Sequence, residues 1–289
     1  MSGAEADGVV VWVDGRLVPA GAPALDAVDH GLTVGDGVFE TCGFEAGQPF
    51  ALTRHLARLR RSARGLGLGD PDEDLVRRGV AEVLAATPDP GRLRITVTAG
   101  PGPLGSARTS SRQTVVVAAG PAGPPHPARV VRVPWTRNER SAVAGLKTTS
   151  YAENVVALAR ATAAGADEAL LANTVGELCE GTGSNVFVER GGELLTPPLS
   201  SGCLAGITRE LVLEWSAAEG LPVREAAPGE LAWSVLDDVV RGGATLALSG
   251  SVRTFVPVVA LDGEPVEVGP LTARVAALYA VRAAADVDP

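Results

Sequence analysis

Two hydrophobic periods alternate along the chain. At the N-terminal end, VVVWVDGRLVP places β-branched and aromatic residues on both sides of an Asp-Gly turn, which predicts a strand, a tight turn and a second strand. Across residues 52–66, Leu52, Leu56, Leu59, Ala63 and Leu66 recur at three- and four-residue intervals, the stripe of an amphipathic helix with most arginines elsewhere around it. A second helix is predicted over 71–86, opening on a proline and acidic residues that suit a positive helix end. RLRITVTAG and RQTVVVAAG then read as strands.

The segment GPAGPPHP at 120–127 is too rich in proline and glycine for a packed element. It predicts an interdomain linker, with an α/β domain over 1–119 and a second over 128–289. The second region begins with the strand VRVPW and a helix in AENVVALARATAAGA. DEALLAN and SNVFVERGGELLTPP follow as strands, and helices are predicted in ITRELVLEWSAAEG and LTARVAALYAVRAAA. Between those helices, TLALSGSVRTFVPVVALDG reads as strands broken by a Gly-rich turn. The fold class is α/β with two domains.

Composition narrows the functional classes. With 289 residues, 46% hydrophobic and 20% charged, the chain is neither collagen-like, coiled-coil nor disordered. A net charge of -9 speaks against a nucleic-acid binder with a broad basic field, although a few arginines and backbone amides can still build a local anion site. Cys42, Cys179 and Cys203 are widely spaced and odd in number, so neither a disulfide scaffold nor a structural zinc site is expected. The N-terminus MSGAEADGVVVWVDG lacks a basic leader region and no segment has the apolar length of a membrane span, so a cytoplasmic protein without a membrane partner is expected. His30, His55 and His126 have no metal-ligand spacing. They are assigned to turn, helix-surface and linker hydrogen bonding respectively. No GxSxG or GxGxxG motif is present.

Charge type is more informative than charge balance. Of the 25 basic residues, 24 are arginine and one, Lys147, is lysine. Arginine serves generic cationic roles but cannot act as an amine nucleophile, so Lys147 is either a surviving surface residue or an amine retained to form a Schiff base. It lies in AGLKTTSYAEN, at a predicted strand-to-helix boundary. Glu180, in GELCEGTGSNVFV, is either a loop glutamate or a carboxylate that pairs with a protonated heteroaromatic nitrogen. Arg58 lies off the leucine stripe of its helix, on a solvated face or at a phosphate. Partners for a phosphate are Ile207 and Thr208 in CLAGITREL, at a predicted helix start, and Gly250 and Ser251 in the LSGSV turn. Trp12, Trp135, Trp215 and Trp233 are assigned to packing, with ligand stacking open to Trp135.

Taken in order, DHGLTVGDGVFET, HLARLRRS, GLKTTSYAENV, ADEALLANTVGELCEGTGSNVFV, LAGITREL and SGSVRTFVPV resemble the class IV aminotransferase-like family, fold type IV of the pyridoxal-phosphate (PLP) enzymes. The resemblance covers nearly the whole chain. It implies a smaller N-terminal α/β domain, a larger C-terminal α/β pseudo-barrel domain, a homodimer, a small-molecule amino substrate and pyridoxal 5'-phosphate as cofactor. By the same resemblance, Lys147 is the Schiff-base lysine and Glu180 contacts the pyridine nitrogen. Arg58, Ile207, Thr208, Gly250 and Ser251 would hold the phosphate, and Phe39 and Tyr151 would lie near cofactor or substrate.

Members of the family divide between 4-amino-4-deoxychorismate lyases and branched-chain or D-amino-acid transaminases. An Arg-x-His carboxylate clamp of the D-amino-acid type would fall around Leu104 to Ser106, where neither residue type occurs. The aromatic pattern of branched-chain enzymes near HGLTVGDGVFE lacks its tyrosine. These departures favour a lyase forming 4-aminobenzoate and pyruvate. The arginine of lyases is replaced at Leu104, with Arg108 as a substitute only if the loop path differs. Thr41, which follows Glu40 where some lyases have another threonine, carries no firm role. Arg94, Arg108 and Arg137 are the substrate-carboxylate candidates, and Trp135 is a substrate-side residue. Transamination and a non-catalytic PLP-binding regulatory role stay open.

Overall fold

The computed structural model describes residues 8–109 and 112–289. The start of the segment read for a leader, residues 1–7, lies outside them. The chain divides into two compact units: residues 1–123 with 146–151 and 287–289, and residues 124–145 with 152–286.

The first unit contains β1 (Val10–Val13), β2 (Arg16–Val18), α1 (His30–Thr33), β3 (Gly37–Cys42), the two-residue strands β4 (Phe44–Glu45) and β5 (Gln48–Pro49), α2 (Leu52–Leu66), α3 (Glu73–Ala86), β6 (Arg92–Thr98) and β7 (Thr114–Gly120). Its five-stranded sheet is antiparallel throughout, in the order β2-β1-β7-β6-β3. Asp14 and Gly15 both take positive φ, which gives the β1–β2 turn the twist that a two-residue hairpin needs. Strand alternation buries Leu93, Ile95 and Val97 of β6 against Leu56, Leu59 and Ala63 of α2 and Val76, Val80 and Val83 of α3. The predicted helix over 52–66 has those bounds, whereas β3 and α1 were not predicted.

The partition at 120–127 differs from the structural division in two short segments. Residues 147–149 run beside β3: Phe39 N donates to the Lys147 carbonyl at 3.0 Å, Thr149 N donates to the Gly37 carbonyl at 2.8 Å, and Val38 bridges Thr148. Those backbone bonds join the lysine segment to the first unit although it follows the linker in sequence. Residues 287–289 also return, with Ala51 N donating to the Val287 carbonyl at 2.7 Å.

The second unit holds β8 (Ala128–Arg137), α4 (Ala152–Ala163), β9 (Glu168–Asn173), β10 (Leu178–Gly181), β11 (Asn185–Arg190), β12 (Glu193–Thr196), α5 (Ile207–Ala218), β13 (Val223–Glu225), α6 (Val235–Val240), β14 (Thr245–Gly250), β15 (Thr254–Leu261), β16 (Glu264–Pro265) and α7 (Pro270–Ala285). Its sheet runs β10-β9-β8-β15-β14-β11-β12-β13, with β16 against β15. Strands β8 and β9 are parallel and α4 is their crossover, packing Ala157 and Ala161 on Val131, Val133, Ala169 and Leu171. Across the rest of the sheet, Leu170, Val186, Val188, Leu246, Leu248 and Val258 form the main core. Among the described residues, no helix is long and apolar enough to cross a membrane.

Candidate active site

Strand β3 presents different chemistry on its two faces. Val38, Glu40 and Cys42 point into the core under α2, while Phe39 and Thr41 take the other face. Glu40 is fully buried among apolar neighbours and is met by two α2 side chains one turn apart. Its Oε1 accepts from Arg58 Nε at 2.8 Å and its Oε2 from Arg58 Nη2 at 2.7 Å, with His55 Nδ1 at 2.6 Å from Oε2. Burial by itself would raise the Glu40 pKa. The Arg58 charge and the hydrogen bonds from Arg58 and His55 outweigh it and hold the carboxyl at about 2. Burial pushes the His55 imidazole below its usual value, against the pull of Glu40.

The helix-surface assignment of His55 is corrected here, and of the two alternatives for Arg58 the solvated face falls away. Neither His55 nor Arg58 is on a solvated face: both are buried, because Glu40 gives them a partner inside the sheet–helix interface. Glu40 itself had been assigned no role. Its signal in the sequence was a carboxylate at an inward position of the alternation V-F-E-T-C.

Lys147 is held by its backbone on both sides, since its N–H donates to Ser62 Oγ of α2 at 3.2 Å and its carbonyl accepts from Phe39. Its Nζ lies 4.4 Å from the centroid of the Phe39 ring and 5.8 Å from that of Tyr151. Those two rings meet edge to face at 5.2 Å. The Arg94 guanidinium also stacks on Phe39, at 3.8 Å, and in the β3–β6 register Arg94 stands directly opposite Thr41. The first unit therefore gathers Lys147, Phe39, Tyr151, Arg94 and Thr41, with Arg58 on the helix behind β3. Arg108 is engaged elsewhere: Nε and Nη2 each lie 2.6 Å from Asp36, while Nη1 and Nη2 also donate to the Gly67 and Leu66 carbonyls at the end of α2.

In the second unit, Glu180 stands on β10 with Oε1 3.2 Å from Arg137 Nε and Oε2 accepting from Leu204 N at 2.9 Å. Arg137 extends on to Asn154 Oδ1 at 3.2 Å. Asn185, at the start of β11, donates to the Leu204 carbonyl at 2.8 Å and lies opposite Ser249 of β14. It thereby joins the two predicted phosphate segments, Ile207–Thr208 at the start of α5 and the turn after Gly250. A Cβ on Gly206, the residue before α5, would run into Asn185 Oδ1, so a larger residue there would displace the Asn185 side chain. Sequence reading missed Asn185, whose signal was a polar residue opening the apolar run NVFV. Trp135, on β8, is 45% exposed rather than packed.

A family model for amino-transferase class IV matches residues 37–261. The chain belongs to the class IV aminotransferase family. This class IV chain is 31% identical over 245 residues to a bifunctional aminodeoxychorismate lyase / D-amino acid transaminase from Mycobacterium tuberculosis, covering 73% of this chain and 79% of that protein. A branched-chain aminotransferase from Thermoproteus uzoniensis, solved with norvaline, superposes with a TM-score of 0.81 at 30% identity, covering 94% of this chain and 93% of the other. A hypothetical aminotransferase from Mycobacterium tuberculosis, solved in its PLP-bound form, gives 0.82 at 29% identity over 97% of this chain and all of the other. The fold is that of type IV, and the class IV chain is a PLP-dependent enzyme.

The residues present fit that cofactor. Helix α5 starts without a side-chain cap, which leaves backbone N–H groups for a phosphate, and Ser249 Oγ nearby is buried without a hydrogen-bond partner. Glu180, kept beside Arg137, suits a protonated ring nitrogen.

Proposed function

We propose that this class IV enzyme is a lyase of the aminodeoxychorismate type, converting 4-amino-4-deoxychorismate to 4-aminobenzoate and pyruvate. The observation that carries this reading is the outer face of β3 and β6, where Thr41 and Arg94 stand opposite each other beside the Phe39 ring that also carries the Lys147 amine. Arg94, an exposed residue of β6, binds a substrate carboxylate through the guanidinium that stacks on Phe39, and the buried Phe39 ring holds the neighbouring wall dry. Lys147 takes the proton from the carbon bearing the substrate amine, and the Thr41 hydroxyl supplies a donor on the same face for the departing enolpyruvyl group. The overall conversion needs no water and no co-reactant, because the atoms of the substrate are those of the two products.

Lys147 would hold the cofactor covalently, Glu180 its ring nitrogen, and Arg58, Ile207, Thr208, Gly250 and Ser251 its phosphate. When bound, PLP supplies the conjugated ring that accepts the electron pair left by proton removal. Glu40 fixes Arg58 through two hydrogen bonds, so the phosphate ligand reaches its place already oriented.

Transamination of an amino acid with a 2-keto acid is the second reading. It is favoured by the Mycobacterium tuberculosis relative, whose name carries both reactions, and an amino-acid carboxylate would suit Arg94 equally well.

The deciding experiment gives the purified holoenzyme aminodeoxychorismate in one assay and D- or branched-chain amino acids with a keto acid in the other. The lyase reading expects 4-aminobenzoate and pyruvate in equal amounts, loss of turnover in Lys147→Ala, and a KM raised roughly 10- to 100-fold in Arg94→Gln from the lost charged hydrogen bond. Transamination without 4-aminobenzoate would overturn it.

A further inference from the structure

The turn between β10 and β11, residues 182–184, joins Glu180 to Asn185, and its shape is imposed from outside by a buried carboxylate. Glu168, at the start of β9, is 3% exposed. Its Oε1 accepts from Ala169 N at 3.1 Å, from Thr182 N at 2.8 Å and from Thr182 Oγ1 in a short hydrogen bond. Its Oε2 accepts from Ser184 Oγ at 2.9 Å and Gly183 N at 3.3 Å. One carboxylate thus gathers at least five donors, four of them from three consecutive residues of the turn. Gly181 N closes the turn on the Ser184 carbonyl at 2.7 Å, and a Cβ at Gly181 would stand 2.5 Å from Ser184 Oγ and 3.0 Å from Glu168 Cδ. The far side is braced by Asn154, whose amide donates to the Thr182 carbonyl and whose Oδ1 meets Arg137, the partner of Glu180.

We infer that Glu168 is a positioning residue for the cofactor: by accepting from Thr182, Gly183 and Ser184 it fixes the 182–184 turn, and with it the placement of Glu180 and Asn185. The inference rests on the reading of Glu180 as the partner of the ring nitrogen. A group with two acceptor oxygens is what the turn requires, because the backbone N–H groups of Thr182 and Gly183 meet different oxygens and can only donate. An amide of the same shape turns an N–H toward one arm, so either Thr182 or the Gly183–Ser184 arm loses its acceptor.

The test compares wild type, Glu168→Gln, Thr182→Val and Glu180→Gln for PLP dissociation constant and for the pH titration of the visible absorbance of bound PLP, with apoprotein melting measured alongside. Glu168→Gln is expected to raise the dissociation constant roughly 10-fold or more and to displace the absorbance titration in the direction seen for Glu180→Gln, with Thr182→Val shifting the same way to a smaller extent. A purely structural residue would lower the melting temperature and leave the absorbance titration in place. If Glu168→Gln fails to fold, Thr182→Val, which keeps the carboxylate, carries the same comparison. Wild-type affinity and titration in both variants, with Glu180→Gln displaced, would overturn the positioning role alone. An unshifted titration in Glu180→Gln would overturn the Glu180 reading and this inference with it.

Discussion

Glu40, His55 and Arg58 form a buried charged cluster whose stability is set by one carboxylate. Removing that charge breaks the buried ion pair between Glu40 and the Arg58 guanidinium, so Glu40→Gln is expected to destabilise the protein by on the order of 3–5 kcal/mol in urea unfolding. The pH dependence has a definite sign. Glu40 has its carboxyl at about 2 against an ordinary 4.5, so its contribution is complete above about pH 4.5 and is lost as pH falls toward 2. His55, pushed below 6.5 by burial, likewise contributes fully above pH 6.5 and less below it. Stability measured from pH 2 to 4.5 should therefore fall less steeply with acid in Glu40→Gln than in wild type; parallel slopes would contradict the assignment. The spacing of His55 and Arg58 one turn apart was visible in the sequence. Their partner was not, because it lies 15 and 18 residues away on a strand, and a helix read alone shows two polar residues off the leucine stripe as solvent-facing.

Among elements, those with a long hydrophobic period were legible and those without were not. Helices α2 and α5 and strands β6 and β7 repeat one period over enough residues to be read directly. Strand β3 was hidden because its inward positions include Glu40, and α1 and α6 are too short to display a stripe. Tertiary contacts also decide residues that local preference disfavours. Gly79 sits in the middle of α3, where alanine would be the better helix former, but a Cβ there would come 2.7 Å from the Trp12 ring. Trp12 is fully buried and its indole N–H donates to Glu82 at 3.0 Å, so the ring has little room to retreat. Gly79→Ala is therefore expected to lose about 1–2 kcal/mol by overpacking, in spite of the gain in helix propensity. An unchanged or raised denaturation midpoint would show that β1 and α3 can separate at no cost. The start of α2 gives a second case. Ala51 offers no side-chain cap, and Thr53 N and Oγ1 instead donate to Asp288, 235 residues along the chain.

At the scale of the molecule, the three cysteines are buried and unpaired. Burial raises all three thiol pKa values, to about 11 for Cys203, so they stay protonated and unreactive in the folded state. Titration with a disulfide reagent at neutral pH should find almost no reactive thiol in the native protein and all three after denaturation; fast reaction of any one in native buffer would contradict this burial. The sequence by itself determined the mixed α/β class, the periodic elements, the lone lysine and, through ordered motifs, the resemblance to a PLP-dependent family, since all of these are written in local order and spacing. Only the tertiary structure assigned residues 146–151 to the first unit, turned His55 and Arg58 inward onto Glu40, set Arg94 opposite Thr41, committed Arg108 to Asp36, and bound the 182–184 turn to Glu168. Each of these depends on strand register or on a hydrogen bond between residues distant in sequence. Such pairings are chosen by the burial and partner requirements of the whole fold, and no window of neighbouring residues contains them.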